Sequence, residues 1–284
     1  TGGTIGMNRN PLTGALEPFD FEHLLNRVPE LAQFQIEIAT YQFSPPIDSS
    51  DMSPEFWVQL ASLIDKSYDQ YDGFVILHGT DTMSYTASAL SFMLQNLGKP
   101  VILTGSQLPI GLLRTDGKEN LITSIEIAAA RHQDGTAMVP EVSVYFNGHL
   151  MRGNRTTKQS ADEFNAFESF NYPHLADAGV NITYHEEFIR QPDRHRRLTP
   201  QLKFDANVFI FSLFPGVRED MILHLVTMPT LRAIVMRTYG SGNAPQAPWL
   251  ISALKEATRR GKVVVNISQC WQGRVEMGRY DTGY

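Results

Sequence analysis

The chain has 284 residues, 42% of them hydrophobic and 19% charged, which is typical of a globular protein of about two domains. Its formal net charge of −6 argues against a nucleic-acid or anionic-membrane partner, since both require clustered positive charge. The single cysteine, Cys270, cannot form an internal disulfide, and no apolar run reaches the ~18 residues that a membrane span needs.

Short apolar runs alternate along the chain with amphipathic stretches of helix length. Ser53, Pro54 and Glu55 predict a helix start, because they supply an N-cap serine, a proline at the first helical position and an acidic first turn. We expect this helix to reach about Tyr68 and to bury one apolar face formed by Phe56, Leu60, Leu63 and Ile64.

The same alternation predicts most of the remaining elements. Strands are expected at 73–77, 101–104, 142–146, 208–213, 233–236 and 263–267, and helices at 84–97, 118–131, 217–226 and 248–260. This order is typical of an α/β fold whose sheet is mostly parallel and flanked by helices.

The alternation is interrupted over residues 186–206, which are polar and contain two prolines. We interpret this segment as a linker between a larger N-terminal α/β domain, residues 1–185, and a smaller C-terminal α/β domain, residues 207–284. The arginines at 190–197 favour a solvated linker over a basic binding patch, because the run is short and mixed with acidic residues.

Three polar, glycine-containing segments are candidate ligand-binding loops: TGGTIG at residues 1–6, HGTDT at 78–82 and TGSQ at 104–107. The second and third directly follow predicted strands, where ligands bind in open α/β sheets. Each could be an ordinary turn, but together they favour a small-ligand site. The first lacks the dinucleotide-binding spacing, and no phosphate-loop lysine follows it.

Two further segments have both structural and functional interpretations. Lys158 is either a surface lysine or, if desolvated near Asp81, an amine able to accept a hydroxyl proton. Residues 48–51, with the sequence DSSD, are either a helix cap or part of a site that binds a carboxylate. The eight histidines show no metal-ligand spacing, so we expect no metal site.

The order of TGGTIG, HGTDTM and RGNRTTK resembles the bacterial-type L-asparaginase family, specifically its type I, cytoplasmic branch. The similarity extends from Thr1 to Tyr284 and includes YGSGNAP at 239–245. It implies an amidohydrolase that converts L-asparagine to L-aspartate and ammonia through a threonine nucleophile and a β-aspartyl-enzyme, without a cofactor. The family fold it implies is a larger N-terminal α/β domain with a smaller C-terminal one.

The resemblance also implies roles for individual residues. Thr4 would be the nucleophile, and a second catalytic group would comprise Thr80, Asp81 and Lys158. Residues that would bind the substrate are Asp48, Ser49, Ser50, Thr80, Asp81 and Asn243. Asp81 would either orient Lys158 or pair with the substrate ammonium.

The family assembles as tetramers built from intimate dimers, with each active site between two subunits. Asn243 matches the asparagine that the partner supplies. Arg237 and Cys270 match positions of a second, regulatory asparagine site found in some type I members. The resemblance therefore implies a cytoplasmic homo-oligomer acting on a small molecule, with no nucleic-acid or membrane partner.

Two departures from the family pattern stand out. The stretch from Thr13 to Pro18 lacks the tyrosine that helps to activate the nucleophile in many members. The sequence also starts at the first motif, without the apolar strand expected before it, and stops short of the family's C-terminal end. We therefore expect an incomplete C-terminal domain.

Three alternative functions remain. The chain could be the amidase subunit of a tRNA-dependent amidotransferase, although no additional RNA- or partner-binding module is visible. It could be a catalytically silent protein that binds an amino acid in the same pocket. It could also be a structural α/β domain, which the paired motifs disfavour.

Overall fold

The computed structural model describes residues 2–9, 16–18, 28–276 and 278. The chain forms two compact units, Thr1–Lys203 and Phe204–Tyr284. Their boundary falls inside the predicted linker. The larger unit holds all three glycine-containing segments, and Asn243 belongs to the smaller one.

The larger unit contains several short strands around one main sheet. Its strands are β1 (Met7–Arg9), β2 (Leu16–Pro18), β3 (Phe74–Leu77), β4 (Leu94–Gln95), β5 (Val101–Thr104), β6 (Val142–Phe146), β7 (His149–Arg152), β8 (Thr157–Lys158), β9 (Phe167–Glu168), β10 (Ala176–Ala178), β11 (Ile182–Tyr184) and β12 (Thr199–Pro200). Its described helices are α1 (Pro54–Ser67), α2 (Met83–Met93) and α3 (Gly117–Ala129).

The main sheet has six described strands in the order β11-β10-β7-β6-β5-β3. The pairs β3/β5 and β5/β6 are parallel, while β7, β10 and β11 are added by antiparallel pairing. Four strands, β3, β5, β6 and β10, thus run in one direction. The prediction of an α/β fold with a mostly parallel sheet is confirmed, and the antiparallel extension is a feature that the sequence did not predict.

The centre of this sheet is covered on both faces. On β5, Val101 and Leu103 pack into the cluster with α1 and α2, whereas Ile102 packs on the opposite face beside Ile127 of α3. All residues of β5 and β6 are buried. Their near-continuous apolar sequence follows from this two-sided burial.

The first predicted helix agrees closely with α1. Phe56, Leu60 and Ile64 are buried as expected, but Ala61 is buried in place of Leu63, which is only half-buried. Ser53 occupies the N-cap position without a side-chain capping hydrogen bond.

The second predicted helix, 84–97, is too long. Helix α2 ends at Met93, since Leu94 and Gln95 pair as strand β4 with β12. Asn96 then adopts a left-handed conformation with φ of 58°, which does not continue a right-handed helix.

The polar segment 186–206 is attached to the larger unit over much of its length. Ile189 is buried, the Asn96 side-chain amide donates hydrogen bonds to Asp193 O at 3.0 Å and Arg196 O at 2.5 Å, and Thr199 lies in β12. Only residues 204–206 of the predicted linker belong to the smaller unit. The domain boundaries proposed from the sequence stay a prediction.

The smaller unit is a three-stranded parallel sheet with helices on one face. Its strands are β13 (Val208–Ser212), β14 (Ala233–Thr238) and β15 (Val263–Ser268), in that order, and its helices are α4 (Glu219–Thr227) and α5 (Pro248–Arg259). Phe211, Ile234 and Val264 pack beneath the helices. On the other face, Ile210, Val263 and Val265 are exposed.

Throughout the described part of the chain, no helix combines the length and apolar character needed to cross a bilayer.

Candidate active site

The two glycine motifs, distant in sequence, touch in the structure. A Cβ atom placed on Gly3 would lie 2.5 Å from both the Cα and the N atom of Gly79, so neither backbone leaves space for a side chain there. Gly3 also has φ of +97°, a conformation that favours glycine. Thr4 directly follows Gly3 in the sequence, and Thr80 directly follows Gly79, so the contact brings the two threonine-containing loops together.

Each threonine lies in a defined local structure. Thr4 is half-buried and begins a single 3-10 turn, Thr4–Gly6, in which Gly6 N donates to Gly3 O at 3.0 Å. Thr80 follows β3 at the edge of the sheet, where His78 N donates to Thr104 O at 2.8 Å. The second and third glycine segments therefore lie side by side at the carboxyl ends of β3 and β5, as the sequence predicts.

Lys158 contacts two residues of the second motif, Thr80 and Asp81. Its Nζ lies 2.8 Å from Thr80 Oγ1 and 2.8 Å from Asp81 Oδ1. The Lys158 side chain is only 19% exposed, whereas that of Asp81 is 64% exposed. The lysine is thus partly desolvated beside a hydroxyl group, with its carboxylate partner facing solvent. These two contacts favour the functional interpretation of Lys158 over that of a plain surface lysine.

Gln107, in the third glycine segment, approaches the same hydroxyl group. The Thr80 hydroxyl donates to Gln107 Oε1 at 3.5 Å, and Gln107 Nε2 donates to Ala161 O at 3.1 Å and Glu163 O at 3.0 Å. Gln107 therefore connects the Thr80 loop to the segment that follows Lys158.

The segment at residues 48–51 packs against the second motif. A Cβ atom on Gly79 would lie 2.4 Å from Ser49 Oγ, and the Thr82 hydroxyl donates to Ser49 O at 2.6 Å. Ser49 is buried. Asp48 acts as a cap, because its carboxylate accepts a hydrogen bond from Ser50 N at 2.8 Å. The structural interpretation of Asp48 thus holds, in a position beside the candidate site.

His78 is a functional candidate that sequence reasoning overlooked, although it lies in the second motif. Its side chain is fully buried, with Nδ1 2.7 Å from Gly79 O and Nε2 2.8 Å from Thr86 Oγ1. Trp57 Nε1 donates to the same Thr86 oxygen at 2.9 Å. Burial lowers the pKa of His78 to about 4, so its imidazole is neutral at physiological pH.

This hydrogen-bond chain fixes the proton positions. A carbonyl oxygen only accepts, so Nδ1 of the neutral imidazole carries the proton that is donated to Gly79 O. Nε2 then accepts from the Thr86 hydroxyl. Because C=O and N–H point in opposite directions across a trans peptide, the Thr80 N–H points away from the buried imidazole.

The remaining predicted residues lie in the smaller unit or outside the described residues. Asn243 forms a backbone bridge with Tyr239, Arg237 lies in β14, and Cys270 is exposed after β15. In the Thr13–Pro18 stretch, residues 13–15 lie outside the described residues, and Leu16–Pro18 form strand β2. Of the predicted site residues, the structure therefore brings together those of the larger unit, in the loops of Thr4, Thr80 and Ser49.

A second polar cluster lies in the antiparallel part of the main sheet. His149, His174 and His185 surround Asp177 at hydrogen-bond distance. Burial acts to raise the pKa of Asp177, but the hydrogen bonds from the three imidazoles lower it to about 2. No sequence pattern indicated this cluster, since strand pairing and not a local motif brings its members together.

The sequence matches two family descriptions: "Asparaginase, N-terminal" over residues 1–190 and "Glutaminase/Asparaginase C-terminal domain" over residues 207–284. Together they cover nearly the whole chain. The protein belongs to the asparaginase family, and the resemblance to its type I branch is confirmed.

Similar proteins carry three kinds of name. The chain is 44% identical to "L-asparaginase 1" of Escherichia coli strain K12, over 100% of this chain and 82% of that protein. It is 41% identical to the human "60 kDa lysophospholipase", over 97% of this chain and 50% of that protein. It is 35% identical to a glutamyl-tRNA(Gln) amidotransferase component of Pyrococcus abyssi, over 100% of this chain and 64% of that protein.

Among solved structures, L-asparaginase I from Vibrio cholerae O1 aligns with a TM-score of 0.88 and 42% identity. The alignment covers 98% of this chain and 82% of that one. The fold described above is therefore shared with a solved type I asparaginase.

Proposed function

We propose that the chain hydrolyses the side-chain amide of L-asparagine to L-aspartate and ammonia, with Thr4 as the nucleophile. The observation that carries this proposal is the contact between Gly3 and Gly79, since it brings the loops of Thr4 and Thr80 together beside Lys158. An amide requires a nucleophile, a base and oxyanion stabilisation, and for these roles we propose Thr4, the Lys158–Thr80 pair and the Thr80 N–H, without a cofactor.

In the first step, the Thr4 oxygen forms a bond to the amide carbonyl carbon of the substrate. The tetrahedral intermediate then expels ammonia, which takes up the proton that Thr4 releases, and a β-aspartyl ester remains on Thr4. A threonine hydroxyl is a weak nucleophile at its ordinary pKa and requires an activating base.

The second step returns the enzyme to its starting state. Water attacks the ester, aspartate leaves, and the proton returns to the Thr4 oxygen. Lys158 and Thr80 form the hydroxyl–amine pair that handles the proton of the attacking water, supported by their 2.8 Å contact. Asp81 holds Lys158 through its carboxylate and presents its exposed oxygen to the substrate ammonium.

The proposed oxyanion hole uses the backbone of the second motif. His78 holds Gly79 O toward the core, so the Thr80 N–H faces the opposite side, where a developing negative charge would be stabilised. The loss of one such donor typically raises the barrier by about 3 kcal/mol. His78 is thus a positioning residue in this mechanism.

Asp48, Ser49 and Ser50 are proposed to bind the α-amino and α-carboxylate groups of the substrate. Their support is positional, since Ser49 packs against Gly79 and accepts a hydrogen bond from Thr82. Asparagine is the proposed substrate. Glutamine differs by one methylene group, which a pocket discriminates by only ~1–3 kcal/mol.

The assembly is proposed to be a cytoplasmic homotetramer made of intimate dimers, in which Asn243 completes the site of a partner chain. Residues on the open face of the smaller unit support an interface, because Ile210, Val263 and Val265 form an exposed apolar sheet surface. Arg237 lies on this same face of β14, in register with Ser212 and Ile267. With Cys270, it is proposed to form a regulatory asparagine site.

The direct test is ammonia release from asparagine by wild type and by Thr4→Ala and Thr80→Ala. We expect each variant to lose a factor of roughly 10²–10⁴ in kcat. Thr227→Ala, at an exposed threonine on α4, is the matched control and should retain full turnover.

Calorimetry on the same proteins distinguishes hydrolysis from silent binding. Asparagine binding by wild type without ammonia release would support an amino-acid sensor and contradict the proposal. Turnover that survives Thr4→Ala would contradict the nucleophile assignment alone.

A further inference from the structure

Three histidines and two carboxylates converge at one corner of the main sheet, away from the catalytic loops. His149 of β7 is the direct cross-strand partner of Asp177 in β10, and its Nδ1 lies 2.7 Å from Asp177 Oδ1. His174 Nδ1 lies 3.0 Å from the same oxygen, and His185 Nε2 lies 2.8 Å from Asp177 Oδ2. Three imidazoles thus surround the carboxylate of Asp177.

The spacing of these atoms suits a metal ion. One ligand atom each from His149, His174 and Asp177 can be chosen so that all lie within 4.8 Å of one another, and the two imidazole rings are 4.3 Å apart. Ligands about 2 Å from a common ion lie roughly 3 to 4 Å from each other. Small rotations of partly exposed side chains bring this set to that spacing.

A second carboxylate, that of Glu168, contacts the ring nitrogen of His174 that faces away from Asp177. Glu168 Oε1 lies 3.0 Å from His174 Nε2 and is itself held by Ser169 N at 2.8 Å. Nε2 can donate its proton to Glu168, so an ion that displaces the Nδ1 proton would find the Nδ1 lone pair directed toward the Asp177 carboxylate. A carboxylate behind a ligating imidazole is the usual second partner in histidine metal sites, where it fixes tautomer and orientation.

The ligand types determine which ions fit. Imidazole nitrogens combined with one carboxylate suit Zn²⁺ and neighbouring divalent transition metals, whereas Ca²⁺ and Mg²⁺ require sites made mainly of oxygen. The cluster also has an entry path, since the side chains of His149 and Asp177 are 38% and 43% exposed.

We propose that His149, His174 and Asp177 bind a divalent transition-metal ion such as Zn²⁺, with Glu168 orienting His174 and His185 holding the second oxygen of Asp177. In the main sheet, β10 and β3 are separated by three strands, which places the ion roughly 20 Å from the loop after β3 at ~4.8 Å per strand. The ion therefore takes no part in amide hydrolysis. It ties β7 to β10 and to the segment that precedes β10.

The test is Zn²⁺ titration of the chelator-treated full chain by calorimetry, with equilibrium dialysis to count bound ions. Wild type should bind one Zn²⁺ per chain, and Asp177→Asn and His174→Gln should each weaken binding at least tenfold. His224→Gln, at an exposed histidine on α4, is the matched control and should bind as wild type does.

Glu168→Gln keeps every proposed ligand and so separates binding from folding. We expect it to weaken Zn²⁺ binding roughly 10- to 100-fold while the metal-free chain melts as wild type does. Bound Co²⁺ should also show intense visible absorption bands in wild type that are lost in Asp177→Asn.

The proposal fails if wild type binds no stoichiometric Zn²⁺, or if the cluster variants and His224→Gln bind it equally well. It also fails if Glu168→Gln leaves the affinity unchanged. None of these results depends on asparagine hydrolysis, so failure here leaves the proposed function intact.

Discussion

The two units of the chain bury their sheets differently. In the larger unit, β5 and β6 are covered on both faces, and the polar residues of the candidate site project from the carboxyl ends of the parallel strands. In the smaller unit, α4 and α5 cover one face only, and Ile210 and Val265 are exposed on the other. The larger unit thus contains the proposed catalytic groups, whereas the smaller one has the apolar surface that we propose as an interface.

This contrast makes different predictions for the two units. Changes at the candidate site should reduce turnover without altering assembly, while changes on the open face should act through assembly.

Removal of the Lys158 amine should have the largest effect. Lys158→Met keeps the length of the side chain but removes its contacts with Thr80 and Asp81, so kcat should fall by roughly 10²–10⁴. Lys255→Met, at an exposed lysine of α5, is the control. Unchanged turnover of Lys158→Met, measured as ammonia release, would remove Lys158 from the mechanism.

A methyl group at Gly3 should break the contact between the two loops. In Gly3→Ala, the new Cβ would lie 2.5 Å from Gly79 backbone atoms, and φ of +97° adds strain of about 1–2 kcal/mol. We expect about a 100-fold loss of turnover, on the scale of one lost oxyanion donor, together with a lower melting temperature.

Gly6→Ala is the matched control for this change, because a Cβ there meets no atom of the described residues within 4 Å. It should leave both activity and melting temperature close to wild type. Equal behaviour of Gly3→Ala and Gly6→Ala would show that the loop contact is not required.

A charge on the open face of the smaller unit should weaken assembly. Val265→Lys places an ammonium group in the proposed apolar interface, and we expect association at least about tenfold weaker, measured by light scattering across concentration. Ammonia release should fall with it, since Asn243 is proposed to act in a partner's site. Val180→Lys, at a fully exposed position of the larger unit, is the control and should assemble as wild type does. If Val265→Lys also assembles as wild type does, the proposed interface is contradicted.

Acid should destabilise the larger unit through His78. Because burial lowers the pKa of His78 from 6.5 to about 4 in the folded chain, the unfolded chain binds more protons between these values. The contribution of neutral His78 to the free energy of unfolding is therefore fully present above pH 6.5. It is lost as the pH falls from 6.5 toward 4, by up to about 3 kcal/mol.

His78→Gln should remove this part of the pH dependence and lower kcat only several-fold, since the residue positions the Thr80 N–H without touching the substrate. Urea unfolding at about pH 7 and about pH 4.5 measures the effect. The same loss of stability in wild type and His78→Gln would assign the pH dependence to other groups.

The sequence predicted the fold well where structure is encoded locally. Strands β5 and β6 match their predicted bounds, because buried parallel strands have unmistakable apolar runs. The end of α2 was misplaced, since it depends on pairing between β4 and β12, about a hundred residues apart. Local periodicity carries no information about such a partner.

The candidate sites divide in the same way. The loops of Thr4 and Thr80 were found because each lies in a contiguous motif at the end of a strand or of the chain. The hydrogen-bond chain of His78 was not predicted, because Thr86 and Trp57 come from two different helices. The cluster around Asp177 was missed because its histidines lie on separate strands and loops.

Capture of the acyl-enzyme tests the central proposal most directly. Lys158→Met should slow hydrolysis of the ester, so rapid quenching after mixing with asparagine, followed by peptide mass mapping, should find a β-aspartyl adduct on Thr4. An adduct on Thr80, or a burst of ammonia with no adduct on either threonine, would contradict the mechanism.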